Sequence, residues 1–187
     1  MPLSQDPHPL HEAVRRGDST ELSSLLEAGH HPDTLEQPPP SAGQATALHW
    51  AAWEGQTAAA RVLIEANAGL DFANANGWTA LHLAMRHADP AFVQALLAAG
   101  ADPDAVGKGG TTALHWAVRR RDGSAAALVT CLIDHDADPG IADAKGRTPL
   151  DVARHNPQLL GSPVLNRLAT SPEPPPSELD GNPSLGF

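Results

Sequence analysis

The sequence predicts an all-α array of stacked helix-turn-helix units, and three observations carry that prediction. Of its 187 residues 41% are hydrophobic, yet only seven are Phe or Trp while 33 are Ala. A core must therefore form from helices whose small side chains let them approach closely. One phrase recurs along the chain: Pro-Leu-His-Glu-Ala at 9–13, Thr-Ala-Leu-His-Trp-Ala at 46–51, Thr-Ala-Leu-His-Leu-Ala at 79–84, Thr-Ala-Leu-His-Trp-Ala at 112–117 and Thr-Pro-Leu-Asp-Val-Ala at 148–153. A second phrase follows the first four times, as Leu25-Leu26-Glu27-Ala28-Gly29, Leu63-Ile64-Glu65-Ala66-Asn67, Leu96-Leu97-Ala98-Ala99-Gly100 and Leu132-Ile133-Asp134-His135-Asp136. A period of this size marks a stack in which each unit buries its apolar face only against its neighbours.

The units follow in order. Residues 1–8 are expected to be a flexible lead-in. The first unit, 9–33, surrounds Leu10, Leu22, Leu25 and Leu26 with Glu12, Asp18, Glu21, Ser23 and Ser24, the polar outer face that an end unit needs. The second, third and fourth units, 46–72, 79–105 and 112–140, open on Thr46, Thr79 and Thr112, and the fifth, 148–168, opens on Thr148. Each threonine stands where a helix begins, so that its hydroxyl can accept a bond from a first-turn N–H. Pro149 follows at the first helical position, where its missing N–H does no harm. Gly29 and Gly100 end the second helices in a left-handed residue, and Asn67 and Asp136 are the next-best residues for that backbone. Asn76-Gly77 and Asp102-Pro103-Asp104 supply hairpin-like turns between units.

The irregularities are equally specific. The phrase leucines Leu10, Leu48, Leu81, Leu114 and Leu150 are 38, 33, 33 and 36 residues apart. The long first spacing predicts a surface loop bulging at 38–40, where three prolines stand together. The last spacing places three extra residues near Asp122-Gly123-Ser124, between the helices of the fourth unit. The fifth unit lacks the second phrase and carries Asp151 in place of His; it reads as an end cap with a short second helix near 164–168. Residues 169–187 read as a disordered, Pro-rich tail.

Together the two phrases resemble ankyrin repeats, whose 33-residue unit carries Thr-Pro-Leu-His-x-Ala; the resemblance spans roughly Leu10 to Leu168. It implies a solenoid of about five units in which His11, His49, His82 and His115 bond within and between neighbouring turns. It also implies a non-catalytic scaffold or adaptor that binds another protein on its concave side, along the hairpin tips and the exposed ends of the first helices. On that geometry the residues closing the first helices are Arg15-Arg16, Trp53-Glu54, Arg86-His87, Arg119-Arg120 and His155-Asn156, and the hairpins add Trp78, Lys108, Lys145 and Arg147. Eight of the 12 basic residues fall in this set against one acid, Glu54, in a chain of net charge −10. Arg and Trp are the residue types enriched where binding energy concentrates. The expected partner is thus a protein with an acidic segment, held by the arginines and anchored on exposed Trp53 and Trp78, with Trp50 and Trp116 in the core.

Other classes have less behind them. The net charge opposes nucleic acid, which remains an alternative for the same basic stripe, as does a self-associating structural module. A catalytic role lacks a nucleophile elbow, a P-loop or a Gly-x-Gly-x-x-Gly turn. His30-His31-x-Asp33 is a poor metal set because adjacent side chains diverge; neither a metal nor any cofactor is expected. With no basic-then-apolar leader and no run of eighteen apolar residues, the reading is a cytoplasmic monomer without membrane contact, its single Cys131 a reduced, packed thiol.

Overall fold

The computed structural model describes residues 9–35, 44–87 and 90–170. The expectations for residues 1–8, for the loop at 38–40 and for the tail beyond Thr170 lie outside the described residues. Among these, ten α-helices follow one another: α1 (Pro9–Arg16), α2 (Ser19–Glu27), α3 (Ala47–Glu54), α4 (Thr57–Glu65), α5 (Ala80–His87), α6 (Pro90–Ala98), α7 (Ala113–Ala117), α8 (Ala125–Asp134), α9 (Pro149–Ala153) and α10 (Val164–Ala169). Each odd helix packs on the even helix after it. The odd helices also contact one another in succession from α1 to α9, and the even ones from α2 to α10, so the molecule is a two-layered helical solenoid. Among the described residues no helix is long and apolar enough to cross a membrane.

The core repeats with the sequence. Leu10, Leu48, Leu81 and Leu114 are fully buried, and so are Ala13, Ala51, Ala84, Ala117 and Ala153 three positions on. A methyl group at each of these positions lets consecutive first helices approach, and each buried leucine contributes about 1.5–3 kcal/mol. Leu150 is only half-buried, because among the described residues no further first helix covers the outer side of α9. The second helices end as their sequences require: Gly29 and Gly100 both have φ 94°, Asn67 59° and Asp136 63°. Short polar side chains tolerate the left-handed region that other residues avoid.

Two helices are shorter than the repeat phrase implies. Arg119-Arg120 do not close α7, nor do His155-Asn156 close α9: the helices stop at Ala117 and Ala153. Arg119 N–H and Arg120 N–H bond back to the Trp116 and Ala117 carbonyls in tight turns. The carbonyls of Val118 and Arg120 instead accept from the Asn156 side chain, both at 2.8 Å. Gln158 donates to the Arg121 carbonyl at 2.7 Å and accepts from Gly123 N–H at 3.1 Å. The extra residues of the fourth unit are thus held down by the loop after α9, with Asn156 buried in that tie.

Candidate binding hollow between the first helices and the hairpins

The scaffold beneath the site is a ladder of Thr–His pairs. At the start of α3, Thr46 N–H donates to His49 Nδ1 at 3.2 Å and the Thr46 hydroxyl donates to the same atom at 2.8 Å. Because Nδ1 accepts, the proton of the neutral ring sits on Nε2, which donates to the Trp78 carbonyl of the next unit at 3.0 Å. His82 repeats the arrangement with Thr79 and the Thr111 carbonyl, and His115 with Thr112 and the Arg147 carbonyl; His11 reaches the Ala45 carbonyl. Burial holds His49, His82 and His115 below the usual imidazole range, against the opposing pull of these carbonyls. In the fifth unit Asp151 takes both Thr148 donors. No described unit lies beyond to receive an Nε2–H, so a group that only accepts is sufficient there.

Each ladder step positions the hairpin that precedes the next first helix. Asn74 Oδ1 accepts the backbone N–H groups of Asn76 and Trp78, and Asp143 Oδ1 those of Lys145 and Arg147. The equivalent position in the middle hairpin is Gly107. A Cβ there would come within 2.9 Å of Trp78 Cδ1 and 3.1 Å of His82 Nε2, so only glycine lets the Trp78 indole lie against this hairpin.

Between α3, α5 and the first of these hairpins lies a cavity of about 500 Å³, lined by Trp50, Trp53, Asn76, Trp78, Leu83 and Arg86 among others. Its origin is a difference between equivalent positions. The second residue after the phrase leucine is Trp50, Leu83 and Trp116 in the second, third and fourth units; the shorter Leu83 between two indoles leaves room. Trp50 and Trp53 are three residues apart and share a face of α3. That face is opposite in character to an ordinary solvated one: Leu48, Ala51 and Ala52 fill the core while two indoles line the hollow. The Arg86 guanidinium lies over the Trp53 ring, 5.4 Å from its centroid, and Arg15 over Trp50 at 5.2 Å, geometry in which the ring faces attract the cations. Trp78 meets Trp116 edge-on at 5.5 Å. Among the described residues the buried indole nitrogens of Trp50 and Trp78 have no hydrogen-bond partner.

The sequence-derived candidates divide sharply. Trp53, 40% exposed, and Arg86 meet at the rim of the hollow. Trp78 is half-buried, contrary to its expected exposure, because Gly107 and Trp116 receive its ring. Trp50 was expected in the core and is half-buried in the cavity wall; its spacing from Trp53 is the sequence signal for that. Arg119, Lys108 and Lys145 are exposed, as are Glu54 and His155, and His155 Nδ1–H donates to the Asp151 carbonyl at 2.9 Å. The side chain of His87 falls outside the described residues. Four of the candidate arginines, Arg15, Arg16, Arg120 and Arg147, are engaged with acids. Arg15 and Arg16 pair with Glu12 at 3.4 and 3.5 Å, and Arg16 also with Glu21 at 3.0 Å. Arg147 pairs with Asp143 at 2.6 Å and holds that carboxyl well below the usual carboxylate range.

Arg120 is turned inward and does not join the surface column. Its side chain is 15% exposed, pairs with Asp122 and donates to the Met85 carbonyl at 3.1 Å. The cause is the early end of α7, which swings Arg120 back towards α5. With Asn156, it belongs to the framework.

A family model described as ankyrin repeats (3 copies) matches residues 10–106 and again 86–163. No curated protein matches the chain. The repeated phrases, the two helical layers and the model match over most of the sequence agree, and the chain belongs to the ankyrin-repeat family.

Proposed function

We propose that this protein is a non-catalytic binding module whose concave side takes an acidic protein segment carrying an apolar or proline side chain. The family generally mediates protein–protein interaction. The observation that carries the finer reading is the hollow itself, in which three indoles converge beside the Arg86 guanidinium. Indoles supply large contact area at low entropic cost, and a guanidinium grips a carboxylate through two parallel N–H bonds. Arg119 occupies the position equivalent to Arg86 one unit further on, and neither has a carboxylate partner within the described residues. A solenoid held by the Thr–His ladder presents these groups already in place, so little conformational freedom is lost on association. The thiol of Cys131, pushed up by burial, is a packed group, in keeping with a reduced cytoplasmic setting.

The test is affinity purification from the native host with the wild-type chain and with the R86E/R119E variant, followed by mapping of the bound segment. Arg120 is left intact because replacing it would disturb the fold. Loss of the partner from the variant at unchanged melting temperature, with an acidic segment mapped in the wild-type complex, supports the reading. Equal capture by both chains overturns it.

A further inference from the structure

The concave side changes character along the stack. Trp53, Arg86 and Arg119 stand five residues after the phrase leucines Leu48, Leu81 and Leu114, so they occupy equivalent places on successive units, and all three are exposed. We propose that the partner segment lies extended across these units, with its apolar anchor in the hollow and two acids, three residues apart, beyond it. The nearer acid pairs with Arg86 and the farther with Arg119. The proposal rests on the reading of the hollow given above and adds to it the partner's conformation and register.

Three observations select this occupant. The first is charge complementarity with a direction. Arg86 and Arg119 have no carboxylate partner among the described residues, and neither do the exposed Lys108 and Lys145 of the next two hairpins. Asp122 and Asp143, acids of the adjoining turns, are already paired with Arg120 and Arg147. At the opposite end the exposed Glu54 follows Trp53 and repels an acid placed there. The anchor therefore belongs in the hollow and the acids towards the fourth unit. The second is spacing. Helix α3 touches α5 and α5 touches α7, and packed helices lie about 8–10 Å apart. An extended chain advances about 3.3 Å per residue, so three residues carry it from one unit to the next. The third is the Asn76 side chain, half-buried in the wall of the hollow, whose carboxamide has no hydrogen-bond partner among the described residues. A carboxamide both donates and accepts, which suits the open N–H and C=O groups of an extended backbone. A helical partner has committed those groups to its own turns.

The full-length chain is titrated with synthetic peptides of one net charge and followed by its tryptophan fluorescence. The first is Ser-Leu-Pro-Gly-Glu-Ser-Gly-Glu-Ser-Gly, the second its isomer with the two Glu adjacent, and each is also made in reversed order. The third is an Ala-rich helical peptide with one Leu and two Glu seven residues apart, a spacing that covers about 10 Å on a helix. In one chain direction the spaced peptide should bind about tenfold more tightly than its isomer, because it alone reaches both arginines. R119Q should bring the spaced peptide down to the affinity of the isomer, as expected when one pairing is removed. Equal, R86E-sensitive affinity for the spaced and adjacent peptides overturns the register while the hollow still takes an acidic segment. Tightest binding by the helical peptide overturns the extended form. Binding of no peptide, or binding that R86E leaves unchanged, also overturns the proposal, and the partner capture above then judges the hollow separately.

Discussion

The second and third units and the fourth and fifth units carry the same kinds of residue at the ends of their first helices, yet they use them oppositely. Around α3 and α5, Trp53 and Arg86 stay at the surface and frame an open hollow. Around α7 and α9, Arg120 and Asn156 turn inward and hold down a lengthened loop. The difference comes from three inserted residues. They end α7 early, expose the carbonyls of Val118 and Arg120, and draw polar side chains in to satisfy them, since a buried unpaired carbonyl is costly. Arg86 thus stays at the rim of the hollow, whereas Arg120, one residue past the position equivalent to Arg86, is a structural tie.

This contrast can be broken by substitution. The largest effect is expected at the clamp: Asn156→Leu leaves two carbonyls without a donor and should cost about 1–3 kcal/mol in denaturant unfolding. Arg120→Glu should act in the same direction, and wild-type stability in either variant would show that the fourth unit does not depend on the tie. Next comes Trp53→Ala, expected to weaken partner binding by about 2 kcal/mol, near thirtyfold in Kd, because it removes an anchor from the rim of the hollow. Calorimetric titration with the mapped partner segment checks it. Arg86→Glu should reduce affinity by about tenfold and change unfolding free energy by less than about 0.5 kcal/mol, as a surface substitution does; the pair of measurements sharpens the contrast with Arg120→Glu.

The smallest effect is a pH slope shared by both regions. Burial lowers the pKa of His49, His82 and His115 in the folded chain below the 6.5 of a free imidazole. Between the folded value and 6.5 the unfolded chain binds more protons, so the stability they contribute is complete above about pH 6.5 and is lost as pH falls through the folded values. Protonating Nδ1 also removes the acceptor for the Thr N–H. Denaturant midpoints should therefore fall from pH 7.5 to pH 5.5, and His82→Gln should flatten that slope. A midpoint independent of pH across this interval would exclude the ladder as its source.

Much of the architecture was legible because it recurs. Thr46 before His49, Gly29 and Gly100 after their helices and Leu48, Leu81 and Leu114 at one spacing are local requirements repeated in register, and periodicity separates such residues from the rest. The site was legible only in part. Trp53 and Arg86 stood out as large or charged groups outside the repeat logic, and they meet in space. Trp78 was misplaced because its seat depends on the missing Cβ of Gly107, 29 residues later. Arg120 was misplaced because α7 ends at Ala117, and the carbonyls this frees are tied by Asn156, 36 residues later.

The sequence by itself determined the helical units, their caps, their stacking order and the family, since these follow from propensities and contacts that repeat every unit. The tertiary structure alone decided which side chains remain at the surface. That outcome depends on pairings between units, on where an insertion redirects the backbone and on whether a neighbouring position holds Leu or Trp, and none of these is contained in the repeat.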